Sequence, residues 1–189
     1  MATANILKSL INNDSLKEIS KLTGVDAGDV SNVLVNALPD MLKGATKQTT
    51  SKSSSSFVTA LAQHALSNTD NLGSFFKKVD LDDGAKIVGH LIGSSDTLTS
   101  KVSKKTGVDT KTVMNILAAA APLFMSLLGK QTKADAKNAD EGKTLDLANQ
   151  LLGNIDVSGL AGSLLGTNKK ADNKIDAKDV VNLIGKFIK

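Results

Sequence analysis

The phrase SKLTGVDAGDVSNVL, Ser20 to Leu34, recurs as SKKTGVDTKTVMNIL, Ser103 to Leu117. Matching residues keep a constant separation of 83, through Gly24/Gly107, Asp26/Asp109, Val30/Val113 and Asn32/Asn115 to Pro39/Pro122. A duplication of this kind constrains the fold strongly, because whatever the first copy forms the second should form too. In the first copy Leu16, Ile19 and Leu22 recur at helical spacing, and Gly24 is placed to end that helix in the left-handed conformation. Asp26 is placed to cap a second helix, whose apolar face is Val30, Val33, Leu34, Ala37, Leu38 and Leu42. Each second helix contains a proline, Pro39 or Pro122, which lacks a backbone N–H and is expected to kink or end it. Recurrence at the same place in both copies marks the proline as an architectural bend.

Fainter matches extend the pattern. A polar stretch follows each proline helix, KGATKQTTSKSSSS in one half and GKQTKADAKNADEGK in the other. GSFF at 73–76 then answers to GSLL at 162–165, and KKVDLDDGAKIVGHLIG (77–93) to KKADNKIDAKDVVNLIG (169–185). The expected fold is all-α, a multi-helical array of about eight to ten helices built from two tandem pseudo-repeats. The units would span 1–93 and 94–189, with a linker at 130–144. Composition agrees with helices rather than a sandwich, since the 41% apolar content is aliphatic, with five Phe and no Trp or Tyr. The longest apolar run, Val113 to Gly129, is shorter than the roughly 20 residues of a membrane span and reads as a buried core helix. The N-terminal stretch is too polar for a signal peptide, so a cytoplasmic location is expected.

Little in the chain carries reaction chemistry. The absence of Cys excludes thiol catalysis and Cys-ligated zinc. Asp26/Asp29, Asp80/Asp83 and Asp176/Asp179 each stand at an expected helix start, where carboxylates cap free N–H groups. The segment Asn168 to Asp179 approaches a calcium loop, with Asp172, Asp176 and Asp179 at ligand positions. Asn168, Lys170 and Asn173 break that pattern, so no metal is expected. His64 and His90 sit in apolar helical settings without carboxylate or His partners one turn away. Nucleophile motifs, phosphate loops and dinucleotide glycines are missing. The chain is expected not to be an enzyme, and to need no cofactor.

The repeated phrase has the spacing of a helix-turn-helix, whose second helix would expose Asp26, Ala27, Gly28, Asp29, Ser31 and Asn32. Two acids are poorly suited to a phosphate surface, and a chain without Arg lacks the usual bidentate reader of guanine. The turn resembles the first two helices of the histone-like HU family, in which they form a scaffold and basic arms touch DNA. No such arm is evident. Sequence-blind DNA binding would rest on lysines, with Lys101, Lys104, Lys105 and Lys111 as candidates beside loops at 43–52 and 130–143.

Two features together resemble one family. DLDDGAKIVGHLIG (80–93), followed by the TGVD…V…L…AP…MSLLG segment (106–129), is similar to the YidB-like family of bacterial helical proteins, a domain of unknown function. The resemblance covers roughly residues 14–130 and implies a bacterial all-α protein. It implies no activity. The expectation is therefore a non-enzymatic scaffold or interaction protein that self-associates or binds a protein partner, with no membrane and no small-molecule substrate. The last expected helix, Asp176 to Lys189, resembles the segments that precede each unit and could join molecules head to tail.

Overall fold

The computed structural model describes Ile6 and residues 8–134, apart from positions 50, 53 and 94, with side chains placed as far as Lys130. The calcium-loop residues Asp172, Asp176 and Asp179, the segment 162–165 and the last expected helix lie outside the described residues. Within them all regular structure is helical. A helical stretch at 8–10 leads into α1 (Asn13–Thr23), α2 (Ala27–Thr49), α3 (Ser54–Ala65), α4 (Leu72–Phe76), α5 (Leu81–Ile92), α6 (Ser95–Thr106) and α7 (Thr110–Ala134).

The repeated phrase builds the same hairpin twice, α1–α2 and α6–α7. Gly24 has φ 71° and Gly107 φ 77°, and each donates its N–H to the carbonyl four residues back, Ser20 or Ser103, at 2.8 Å. This left-handed residue is glycine because a Cβ there would crowd the backbone. Thr23 and Thr106 precede the glycines, and their hydroxyls donate to the carbonyls of Ile19 and Val102 at 2.8 and 2.9 Å. The aspartates then cap as expected. Asp26 Oδ1 accepts from Gly28 N at 2.8 Å, and Asp109 Oδ1 from Thr112 N at 3.0 Å.

The two second helices are the buried ones. In α2 every residue from Val30 to Pro39 is buried, and in α7 so is every residue from Ile116 to Ser126. A helix apolar on all sides has to be surrounded by protein, and the packing is reciprocal. The first helix of each hairpin packs against its own partner and also against the long helix of the other hairpin: α1 on α2 and α7, α6 on α7 and α2. The inserted helices α3 and α5 cover the rest of α7. One cluster of buried residues results, and it contains residues on both sides of position 93, from Leu34 and Leu38 to Val102 and Phe124.

Two expectations are corrected. Neither proline ends its helix, since α2 continues ten residues past Pro39 to Thr49 and α7 twelve past Pro122 to Ala134. The supposed lysine-bearing loop at 43–52 is therefore mostly the last turns of α2, and the linker expected from residue 130 begins as helix. The polar character of KGATKQT misled, because only one face of those turns meets solvent: Gly44 and Ala45 are buried while Lys43 and Lys47 are exposed.

Backbone contact sets the spacing of the inserted helix. Pro122 has no N–H to give the carbonyl of Ala118, and Gly84 of α5 sits directly against that carbonyl, where a Cβ would overlap it. At the other end of α5, the carbonyl of Leu91 lies in the last turn, which lacks intrahelical donors, and packs onto Gly44 of α2 in the same way. Gly84→Ala is therefore expected to destabilise by about 1–3 kcal/mol or more, by forcing backbone apart. Gly89→Ala, on the same helix with nothing within 4 Å of a new Cβ, should instead be neutral or stabilising by up to about 1 kcal/mol. Urea midpoints of the two variants check the contrast.

Candidate interaction site

The register fixed by Gly84 brings the start of α5 beside Pro122 and the end of α3. Asp80 caps α5, accepting from Asp82 N at 2.8 Å, and Asn71 caps α4, accepting from Ser74 N at 2.9 Å. Between these turns opens a cleft of about 550 Å³, lined by His64, Leu66, Phe75, Lys78, Asp80, Asp83 and Pro122 among others. Leu66 is 76% exposed, alone among the large apolar side chains described. It stands just past the end of α3, off the buried face formed by Phe57, Val58, Leu61 and Ala65. The loop beyond it is tied down by Lys130 of α7, whose ammonium donates to Thr69 Oγ1 at 2.6 Å.

His64 has a partner that the sequence concealed. Burial holds its pKa below the ordinary 6.5, while the charge of Asp83, 19 residues away in sequence, acts in the opposite direction. Among the described residues no group of three His, Cys, Asp or Glu is placed to hold a metal ion. His90 faces solvent, and its backbone carbonyl accepts from Gln48 Nε2 at 2.5 Å. The cleft wall also carries the hydroxyls of Ser67 and Ser74, and Asp83 acts on His64 through its charge.

A second concavity lies at the opposite end of α5. Leu91 and Ile92 of α5 and Leu98 of α6 form its apolar part, in a groove of about 310 Å³ flanked by Lys43, Lys47, Asp40 and Lys101. Lys101 donates to Asp40 Oδ2 at 2.6 Å and so ties α6 to α2. Lys104 and Lys105 are exposed in the last turn of α6, and Lys111 in the first turn of α7. Thr112, through its hydroxyl and N–H, keeps the neighbouring Asp109 carboxylate below its ordinary pKa.

The helix-turn-helix reading of α2 meets a direct obstacle. Ser31 and Asn32, expected on an exposed face, are 0% and 3% exposed. Asn36 donates its amide to Asn32 O at 2.9 Å inside the protein. From Val30 to Pro39 α2 has no face left to lay in a groove. Thr110–Lys130 of α7 is long and apolar enough to cross a membrane, yet 78% of its 18-residue apolar window is buried inside the protein.

These features define an all-helical domain with surface concavities along α5 and a closed core. The chain belongs to a family described as a bacterial protein of unknown function (DUF937), whose model matches residues 5–131 and so includes both copies of the repeated phrase. No curated protein and no solved structure matches it.

The depressed pKa of His64 has a consequence for stability. The native state binds this proton less readily than the unfolded chain, so the contribution is complete above the unfolded value near 6.5 and is lost as pH falls toward the lower folded value. Replacing His64 with Gln should flatten the loss of stability between about pH 7 and about pH 5. Asp83→Asn removes the charge that supports protonation and should steepen it. Urea denaturation across that pH range measures both slopes.

Proposed function

We propose that this protein is a non-enzymatic helical scaffold, acting in the bacterial cytoplasm and assembling by self-association. The observation that carries this reading is Leu66, a bulky aliphatic side chain left 76% exposed on a domain whose other large apolar groups are covered. A single exposed aliphatic residue is ordinary on a protein surface, so the reading rests on its place at the rim of a formed cleft. The YidB-like resemblance and the reading of the chain as two tandem units belong to the same proposal. A sequence built from repeated helical hairpins is suited to presenting surfaces to a partner.

The test is the mass of the full chain in solution by light scattering. The weight-average mass should rise with protein concentration, and Leu66→Lys should return it to the monomer with an unchanged melting temperature. A full chain that stays monomeric at every concentration refutes the reading. Deleting 174–189 asks separately whether the terminal segment is a joint: an unchanged mass removes it from the assembly.

A second reading, sequence-blind DNA binding, is favoured by the lysines on neighbouring helices: Lys43 and Lys47 on α2, Lys101, Lys104 and Lys105 on α6, and Lys111 on α7. Lysine point charges would give weak binding to any duplex, falling steeply as salt displaces the counterion gain. Lys104→Glu with Lys105→Glu should abolish the shift of a labelled random duplex at low salt. Equal binding by this variant and the parent would exclude those lysines.

A further inference from the structure

The cleft and the groove lie at opposite ends of one helix. Asp80 and Asp83 at the start of α5 line the first, and Leu91 and Ile92 at its end line the second. Twelve residues of α-helix at about 1.5 Å each place them about 18 Å apart. The two are unlike in charge. Around the groove stand Lys43, Lys47 and Lys101, the last paired with Asp40, and Asp96 is exposed beside it. Ile92 is the partly exposed part of its apolar floor, with Leu91 and Leu98 buried beneath. Around the cleft stand Asp80 and Asp83 against Lys78, with the exposed Asp70, Asp82 and Lys77 nearby, so the acids there outnumber the lysines.

We propose that the lysine-flanked groove between α2, α5 and α6 receives a second copy of this chain, with Leu66 of that copy on the apolar floor and its aspartates against the lysines. The inference rests on the self-association proposed above and specifies its geometry. Two different surfaces meet, so the contact is heterologous. Each molecule in the chain of contacts keeps one used and one unused surface at the ends, and the assembly extends rather than closing as a twofold dimer. Opposed charges at the rim steer the encounter and make it sensitive to salt. The aliphatic contact supplies the part that salt does not screen.

The geometry is tested by two variants that each disable one surface. Lys43→Glu with Lys47→Glu alters the groove, and Leu66→Lys with Asp70→Lys alters the other edge. All four positions are exposed, and matching circular dichroism and melting curves establish that both variants fold. Light scattering at low salt should show the parent chain associating with rising concentration and each variant alone as a monomer. An equimolar mixture of the two should give a one-to-one dimer that does not extend, because each partner contributes its single intact surface. High salt should shift all of these equilibria toward monomer.

A mixture that stays monomeric, or a variant that associates as the parent does, overturns the proposed contact and leaves self-association itself standing. A parent chain that is monomeric throughout overturns both. If that monomer instead binds a labelled duplex at low salt and the groove variant does not, the lysines serve a polyanion and the proposal is likewise overturned.

Discussion

The placement of α5 depends on one backbone contact. Pro122 withholds the hydrogen bond that Ala118's carbonyl would otherwise accept within α7, and the methylene of Gly84 occupies the space against it. Any side chain at 84 would hold the helices apart and open the interior between them. The second seat, Leu91's carbonyl on Gly44, uses the unpaired end of a helix for the same purpose. A proline inside a helix ordinarily costs a hydrogen bond and introduces a steric clash. In α7 the freed carbonyl lies at the closest approach of a neighbouring helix, so the helix can remain continuous while its neighbour gains room to pack.

The two surface concavities follow from that placement. Once Gly84 fixes the start of α5, Asp83 is brought within electrostatic reach of His64 and the cleft forms beside Pro122. Once Gly44 fixes its end, the apolar residues Leu91 and Ile92 meet the lysines of α2 and the start of α6. The charge asymmetry has a local cause as well, since carboxylates suit the start of a helix and cations its end. The same asymmetry, read across the whole domain, gives it two unlike ends.

Much of the fold was legible in the sequence. The periodicity of Leu16, Ile19 and Leu22, the glycine at 24 and the aspartate at 26 are local signals whose chemistry acts within a few residues, and all appear in the structure as read. What eluded the sequence was set by contacts between distant segments. The exposure expected for Ser31 and Asn32 failed because α2 is packed by α3, α5, α6 and α7 as well as by its own hairpin partner. Neither proline ends its helix, and the seat of Gly84 against the carbonyl that Pro122 leaves free, 38 residues away in sequence, cannot be seen locally. The partnership of His64 with Asp83 was hidden for the same reason. Leu66 left a faint trace, as an aliphatic residue one step off the face of Leu61 and Ala65 at the edge of a polar loop.

The reciprocal packing explains why one hairpin would not suffice. Its long helix is buried on all sides over ten residues or more, and its short helix can cover only one of them. Two copies resolve this by exchange, α1 lying on α7 and α6 on α2, so that each long helix gains a cover from the other copy. Exchange alone leaves the remaining side of α7 bare, and the inserted segment α3–α5 covers it. This division of labour separates the two parts of the chain by role. The duplicated hairpins supply the core, and their second helices are buried from Val30 to Pro39 and from Ile116 to Ser126. The inserted segment is seated on the core by glycines at its closest contacts. Leu66, His64, Asp80 and Asp83 all come from it, and it contributes Leu91 and Ile92 to the groove at its other end. In this domain the paired hairpins therefore build the frame, and the segment between them forms the cleft and contributes to the groove.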